Sequence, residues 1–149
     1  LEEAVADYRR AYELLARITY GNVRLVVALL DLGHTGEAEE AMAEIRRRGT
    51  TDPWLQAIVD CLEGKIPPDR LVALADPGRL QHVCEGYYYA GEVHRLRGRP
   101  AEALAMYRKA VAVGQTIDQG NYKDRLSEHE LAQWRLRSYE ADRGVFRVR

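Results

Sequence analysis

The chain has 149 residues and a formal net charge of −1, with 46% hydrophobic and 30% charged residues. That length permits one domain with its own core, and the composition excludes both a disordered tail and a membrane-inserted protein, because no apolar run approaches the roughly 20 residues of a spanning helix. The near-neutral charge also argues against nucleic acid as the main partner.

Apolar residues recur at steps of three and four along almost the whole sequence, whereas strand-like alternation does not persist. The predicted fold class is therefore all-α. Glycine and proline divide the pattern into short helices, which favours antiparallel helix pairs. The breaks fall at 33–36, 49–53, 64–68, 76–78, 98–100 and at Gly114.

The first predicted helix covers 1–16. Because it begins at Leu1, without a methionine and within a helical pattern, we expect that the native N-terminus is missing. A helix pair over 19–49 follows. Its end is marked by three arginines at 46–48, since cations favour the negative C-terminal end of a helix.

The next helix is predicted to begin at Pro53. Asp52 is a favourable N-cap, and proline suits the first helical position because its missing N–H would be unbonded there anyway. This helix opens a short and degenerate pair over 52–77. Cys61, here, and Cys84, further on, lie within apolar helical stretches and are predicted to be buried small hydrophobes, not a disulfide or a metal knuckle.

A longer helix pair is predicted over 79–114. The polar segment 115–125 has no apolar period and is interpreted as a loop. Ser127 and Glu130 fit a capping box that opens a last helix over 126–143. Its predicted contacts with the preceding pair are Leu131, Trp134, Leu136 and Tyr139.

Three segments of the chain resemble one another. EEAVADYRRAYEL (2–14) aligns with AEALAMYRKAVAV (101–113), and GEAEEAMAEIRRR, from Gly36, aligns with both because Ala38 and Met42 fall on the sites of Ala103 and Tyr107. The interval between the second and third copies leaves room for one more unit, which the short pair over 52–77 fills. Internal periods of this size are typical of helical-repeat proteins.

The best copy resembles the tetratricopeptide repeat (TPR), whose pattern is W-x2-L-G-x2-Y, then A-x3-F and a later A. Here the pattern is Tyr87-x2-Ala90-Gly91-x2-His94, then Ala103-x3-Tyr107 and Ala110. In such a unit Gly91 and Ala103 are small because the two helices cross closely there, with Tyr87 and Tyr107 above and below. In the 19–49 pair Val26 takes the glycine position, which predicts a wider crossing.

The resemblance implies a single TPR-like domain over 1–149, in which antiparallel helix-turn-helix repeats stack into a right-handed superhelix. Helix 1–16 would be the second helix of a truncated repeat, and 126–143 a C-terminal cap over the last apolar face. First helices of such units line a concave surface. Its predicted partner-binding residues are Tyr20, Val23, Val27, Leu30, Leu55, Val59, Leu62, Tyr88, Glu92 and Arg95.

This list is apolar for a solvated groove, so we expect a protein or peptide partner, hydrophobic or amphipathic, in a scaffold or interaction module. Three alternatives stay open: the chain's own ends fill the groove, the chain is a homo-oligomeric structural element such as a homodimer, or it is a regulatory repeat domain of a larger enzyme or transcription regulator. We expect no enzyme, cofactor, metal, nucleic-acid partner or membrane insertion. His82 and Cys84, for instance, point about 200° apart on a helix and cannot easily share an ion.

Arginine outnumbers lysine by 19 to 3, which suggests a bacterial source with GC-rich DNA. A cytoplasmic location is the expectation.

Overall fold

A computed structural model describes residues 2–14, 19–118 and 128–145 of the chain. Over these ranges the chain forms eight α-helices and no strand, so the all-α prediction is confirmed. The helices are α1 (Glu2–Leu14), α2 (Tyr20–Asp31), α3 (Thr35–Arg48), α4 (Pro53–Leu62), α5 (Pro68–Leu74), α6 (Leu80–Leu96), α7 (Pro100–Asp118) and α8 (Glu128–Val145).

The chain divides into two compact units, Leu1–Val59 and Asp60–Arg149, with the boundary inside α4. In the first, the N-terminal unit, α2 packs against both α1 and α3. In the second, the C-terminal unit, α6 packs against α5, α7 and α8, and α7 packs against α8 as well. A single domain over 1–149 stays a prediction.

Each unit has an apolar core built from helix faces. In the N-terminal unit the buried side chains of α2 and α3 include Leu25, Val26, Leu29, Ala38, Met42 and Ile45. In the C-terminal unit they include Leu71, Tyr89, Ala90, Ala103, Tyr107, Ala110 and Ala132. Cys61 and Cys84 are both free thiols and both buried, which confirms their predicted role as small hydrophobes.

Helices α2, α4 and α6 end in the same hydrogen-bonded turn. The turn glycines Gly33, Gly64 and Gly98 have φ of +76°, +79° and +69°. Each glycine N–H donates to the carbonyl three residues before it, at 3.2, 3.1 and 3.0 Å. The N–H of the residue after each glycine donates to the carbonyl five residues before itself, at 2.9, 2.8 and 2.9 Å. This is the Schellman motif, and glycine is preferred there because a side chain is strained at positive φ. One local chemistry thus ends three helices at nearly regular intervals along the sequence.

The predicted start of α4 is confirmed at atomic detail. The backbone N–H groups of Trp54 and Leu55 donate to Oδ1 of Asp52 at 2.9 and 3.3 Å. Asp52 is therefore the N-cap, with Pro53 in the first helical position. The three arginines at 46–48 form the last turn of α3, as predicted.

The predicted helix end at Gly114 is wrong, because α7 continues to Asp118. Gly114 is buried within the helix, and a Cβ on it would lie 2.0 Å from Nδ1 of His129 in α8. Glycine here permits the close approach of α8 and does not end helix α7. The first four residues of the predicted loop 115–125 are thus helical; the others, and the predicted cap Ser127, lie outside the described residues.

Candidate functional site

Six of the ten residues predicted to line a partner groove are buried by the chain itself. The exposed fractions of Val23, Val27, Leu55, Val59, Tyr88 and Glu92 are 0, 4, 2, 1, 3 and 0%. The expectation of an open apolar groove is therefore wrong at these six positions, because their side chains take part in internal packing. The other four, Tyr20, Leu30, Leu62 and Arg95, are half-buried. A role in partner binding stays a prediction.

The ten residues also divide between the two compact units. Those from Tyr20 to Val59 belong to the N-terminal unit, whereas Leu62, Tyr88, Glu92 and Arg95 belong to the C-terminal unit. The polar end of the predicted groove, Glu92 and Arg95, therefore lies within the C-terminal unit. That unit contains the most elaborate polar arrangement among the described residues.

A buried carboxylate, that of Glu92 on α6, holds three helices together. It accepts a hydrogen bond from the Tyr107 hydroxyl on α7 at 2.8 Å. It also accepts two from Arg135 on α8, from Nε at 2.7 Å and from Nη2 at 2.9 Å. Arg95, one turn further along α6, donates to Oε2 through Nη2 at 2.6 Å and Nε at 3.1 Å. We call these four residues the Glu92 cluster.

The cluster supplies hydrogen-bond donors to the Glu92 carboxylate, whose burial without partners would cost much free energy of folding. The side chain of Glu92 is fully buried, that of Arg135 is 10% exposed and that of Arg95 is 19% exposed. A bidentate guanidinium bond is both strong and directional, so it sets how α8 lies on α6. Burial, followed by the charge of Glu92, raises the pKa of Tyr107, which therefore stays protonated and acts as a donor.

The aromatic side chains of α6 continue this contact towards the start of α8. The rings of Tyr88 and Tyr89 meet edge to face, with centroids 5.0 Å apart, and Tyr88 lies 6.2 Å from Tyr107. The Tyr89 hydroxyl donates to the buried carboxylate of Glu128 at 3.3 Å. Two polar contacts, at positions 128 and 135, thus connect α8 to α6.

The close approach predicted at Gly91 is confirmed. A Cβ added there would lie 2.6 Å from Cε1 and 2.8 Å from Cδ1 of Tyr107, well inside van der Waals contact. The phenol ring therefore packs directly on the α6 backbone, and its hydroxyl reaches the neighbouring Glu92. Ala103, the other small residue, is fully buried.

The face that α8 presents differs from the predicted one. Its buried residues are Glu128, His129, Ala132 and Arg135, which share one helical face, whereas the predicted contact Trp134 is 45% exposed. The sequence prediction selected apolar residues, and it missed Glu128 and Arg135 because their partners lie on other helices. One available signal was the spacing of 128, 132 and 135, which places two charges beside a small residue on one face.

The N-terminal unit has an open cleft of about 340 Å³, with α2 as its floor and α1 and α3 as its walls. Arg9 forms an ion pair with Glu37 across it. Glu44, at the other end, accepts hydrogen bonds from Arg47 and Arg48, which lower its pKa to about 2. The two glutamates are thus already paired with arginines. The lining residues are Arg9, Leu25, Leu29, Glu37, Glu40, Ala41 and Glu44.

Other titratable groups form no recognisable catalytic arrangement within the described ranges. The buried His94 has no hydrogen-bond partner for Nδ1 among the residues that the structure describes. Burial raises the pKa of the Cys61 thiol to about 11, which disfavours a reactive thiolate. Within the described residues, no group of three or more His, Cys, Asp or Glu is placed to hold a metal ion, and no helix is long and apolar enough to cross a membrane.

Comparison with protein-family models, with curated proteins and with solved structures yields no match to this chain.

Proposed function

We propose that the chain is a TPR-like helical-repeat module that binds a segment of another protein. The observation that supports this most directly is the recurrence of one Schellman turn after α2, α4 and α6, with its glycine at positions 33, 64 and 98. Tandem helical hairpins of this length stack into solenoids because one hairpin cannot bury its apolar face alone. In this proposal the units form a right-handed superhelix and α8 is its cap.

Side chains equivalent in the repeat behave alike, which supports the same proposal. Ala38 of α3 and its counterpart Ala103 of α7 are 3% and 0% exposed, and a later equivalent pair, Ile45 and Ala110, is also 3% and 0% exposed. Small or apolar side chains are therefore buried at matching positions of the second helix in both hairpins. A shared geometry of this kind is what a repeat pattern requires.

We place the partner contacts at the members of the predicted groove that the chain leaves partly accessible. These are Tyr20 and Leu30 in the N-terminal unit and Leu62 and Arg95 in the C-terminal unit. Three are apolar or aromatic, so the partner segment is expected to be hydrophobic or amphipathic. Binding and assembly, not catalysis, are the proposed activities.

Site-specific photocrosslinking tests this proposal. Leu30 and Leu62 are each replaced by a benzophenone amino acid, as are the exposed residues Ala43 and Ala101 on second helices as matched controls. In a lysate of the source organism, we expect an adduct with the same protein from positions 30 and 62 and none from 43 and 101.

Three outcomes would contradict the proposal. Equal adducts from all four positions would show unspecific proximity, and no adduct would remove the partner. Adducts with a second copy of this chain alone would instead favour the homo-oligomeric alternative, which light scattering against concentration checks independently.

A further inference from the structure

Helix α8 packs on both helices of the α6–α7 hairpin. Two residue pairs connect it to α6: Arg135 donates two hydrogen bonds to Glu92, and the Tyr89 hydroxyl donates one to Glu128. Between them Ala132 is fully buried, and His129 covers Gly114 of α7. The α6–α7 surface thus holds α8 through one arginine, one glutamate and a buried small residue on the same helical face.

Residues of the α6–α7 hairpin position the Glu92 carboxylate that binds the guanidinium of Arg135. Tyr107 and Arg95 belong to the α6–α7 hairpin and hold the Glu92 carboxylate from two sides, at 2.8 and 2.6 Å. Two of the three residues that bond the carboxylate therefore come from the hairpin, and only Arg135 comes from α8. Arg135 adds the two parallel bonds that only a planar guanidinium makes to a carboxylate. Neither an ammonium group nor an apolar side chain can form this pair of bonds.

We propose that the Glu92 cluster is a guanidinium-selective helix seat, occupied in this chain by α8, and that the partner segment of the C-terminal unit is an arginine-bearing amphipathic helix that replaces α8. This rests on the proposed function, because it names the partner class for a module that binds protein segments. Glu92 acts as the specificity-determining residue. Since Arg135 of α8 already bonds Glu92, an external helix and α8 compete for one place.

The first test measures how firmly Arg135 holds α8 in the full chain. Hydrogen exchange of the α8 amides is compared among the wild type, Arg135→Met, Arg135→Lys and the matched control Arg137→Met, which changes an exposed arginine of the same helix. We expect exchange to rise about tenfold or more for Arg135→Met, and Arg135→Lys to restore little of the protection, because ammonium lacks the bidentate geometry. Equal exchange in Arg135→Met and Arg137→Met, or full protection with lysine, would overturn the guanidinium seat.

The second test measures replacement. A fluorescent synthetic peptide with the sequence of α8, Glu128–Val145, and the same peptide with methionine in place of Arg135 are titrated into the full-length Arg135→Met chain. We expect the arginine peptide to bind about tenfold or more tightly than the methionine peptide, and the wild-type chain to bind it more weakly because its own α8 competes. Glu92→Gln in the same Arg135→Met chain should remove the difference between the peptides.

Equal binding of both peptides, or no binding of either, would overturn the replacement of α8. Neither result depends on Leu30 or Leu62, where the crosslinking test of the proposed function is made. If the peptides bind equally or not at all while positions 30 and 62 crosslink to one protein, the chain is still an interaction module, but its partner is of another class. If the arginine peptide binds selectively but positions 30 and 62 give no adduct, the α6–α7 hairpin binds a helix while the proposed groove contacts are wrong.

Discussion

The hairpins α2–α3 and α6–α7 share a backbone plan but differ in what fills the space between their helices. Their turns share the two Schellman hydrogen bonds, and Ala38 and Ala103 are buried at equivalent positions. At the crossing, however, the C-terminal hairpin has Gly91 against the large ring of Tyr107, whereas the N-terminal hairpin has Val26 and Met42 in the corresponding positions. One hairpin thus pairs a very small residue with a large ring, and the other pairs a medium-sized valine with a flexible methionine. Both combinations can fill a closely packed core.

The next residue along each first helix differs in charge as well as in size. Val27 is 4% exposed and apolar, and its counterpart Glu92 is a fully buried carboxylate with donors from α6, α7 and α8. The repeat therefore keeps its geometry while its chemistry changes. At this position the N-terminal hairpin has a buried apolar side chain, and the C-terminal hairpin has a carboxylate whose partners include Arg135 of α8.

The largest effect is expected from exchanging the two chemistries. Val27→Glu places a carboxylate in a buried site whose hairpin has Met42 where the other has Tyr107, so the free energy of unfolding should fall by about 3 kcal/mol or more. Glu92→Val should cause a comparable fall, because it leaves Arg135 nearly buried without its carboxylate. Urea unfolding followed by circular dichroism measures both. The control Ala43→Glu, exposed on α3, should cost little. A Val27→Glu variant as stable as this control would indicate an open face at position 27.

A smaller loss is expected at the glycine crossing. Gly91→Ala brings a methyl group to 2.6 Å from a Tyr107 ring that cannot retreat freely, because its hydroxyl is bonded to Glu92. Overpacking of this kind costs about 1–3 kcal/mol. Gly36→Ala is the matched control, since no atom lies within 4 Å of its added Cβ and alanine favours the helix. A drop in melting temperature for Gly91→Ala is expected beside a slight rise for Gly36→Ala, and equal effects would contradict the close crossing.

The shared turn predicts equal costs in the two hairpins. Gly33→Ala and Gly98→Ala each introduce a side chain at positive φ where nothing lies within 4 Å, so only backbone strain opposes them. We expect each to lower the unfolding free energy by about 1–2 kcal/mol. Urea midpoints of the two variants should agree closely. A clear difference would mean that the turns are not equivalent in solution.

The smallest effect concerns pH and a surface ion pair. Hydrogen bonds from Arg47 and Arg48 lower the pKa of Glu44 from 4.5 to about 2. Because the pKa in the folded state is below that in the unfolded state, the contribution to stability is present above pH 4.5 and is lost as the pH falls towards 2. Glu44 lies at the surface, so solvent screening keeps this contribution small.

Glu44→Gln should therefore be slightly less stable than the wild type at neutral pH, and the two thermal melting curves should converge at low pH. Lys109, the equivalent residue of α7, lies over the ring of Tyr87 at 5.4 Å instead. Lys109→Gln serves as the control, and its stability difference should not vanish between pH 4.5 and 2. A Glu44→Gln difference that persists at low pH would contradict the ion pair.

Local signals in the sequence predicted the helices more accurately than the surfaces. Asp52 before Pro53, the turn glycines and the arginine-rich end of α3 act through neighbours in the chain, so their effects were predictable. Gly114 was misinterpreted because a glycine that admits a neighbouring helix cannot be distinguished, in one sequence, from a glycine that ends a helix. Only His129, brought there by α8, reveals the difference.

The amino-acid sequence by itself determined the all-α class of the described residues, the ends of most helices, the matched small residues of the hairpins and the burial of both cysteines. These properties follow from periodicity and from bonds between residues near in sequence. Tertiary structure alone decided that Val23 and Val27 are core, that Trp134 faces outward and that Arg135 meets Glu92. Burial depends on which helix covers a face, and a charge that looks solvated along the chain is stable inside only when partners 15 and 43 residues away arrive with the correct geometry.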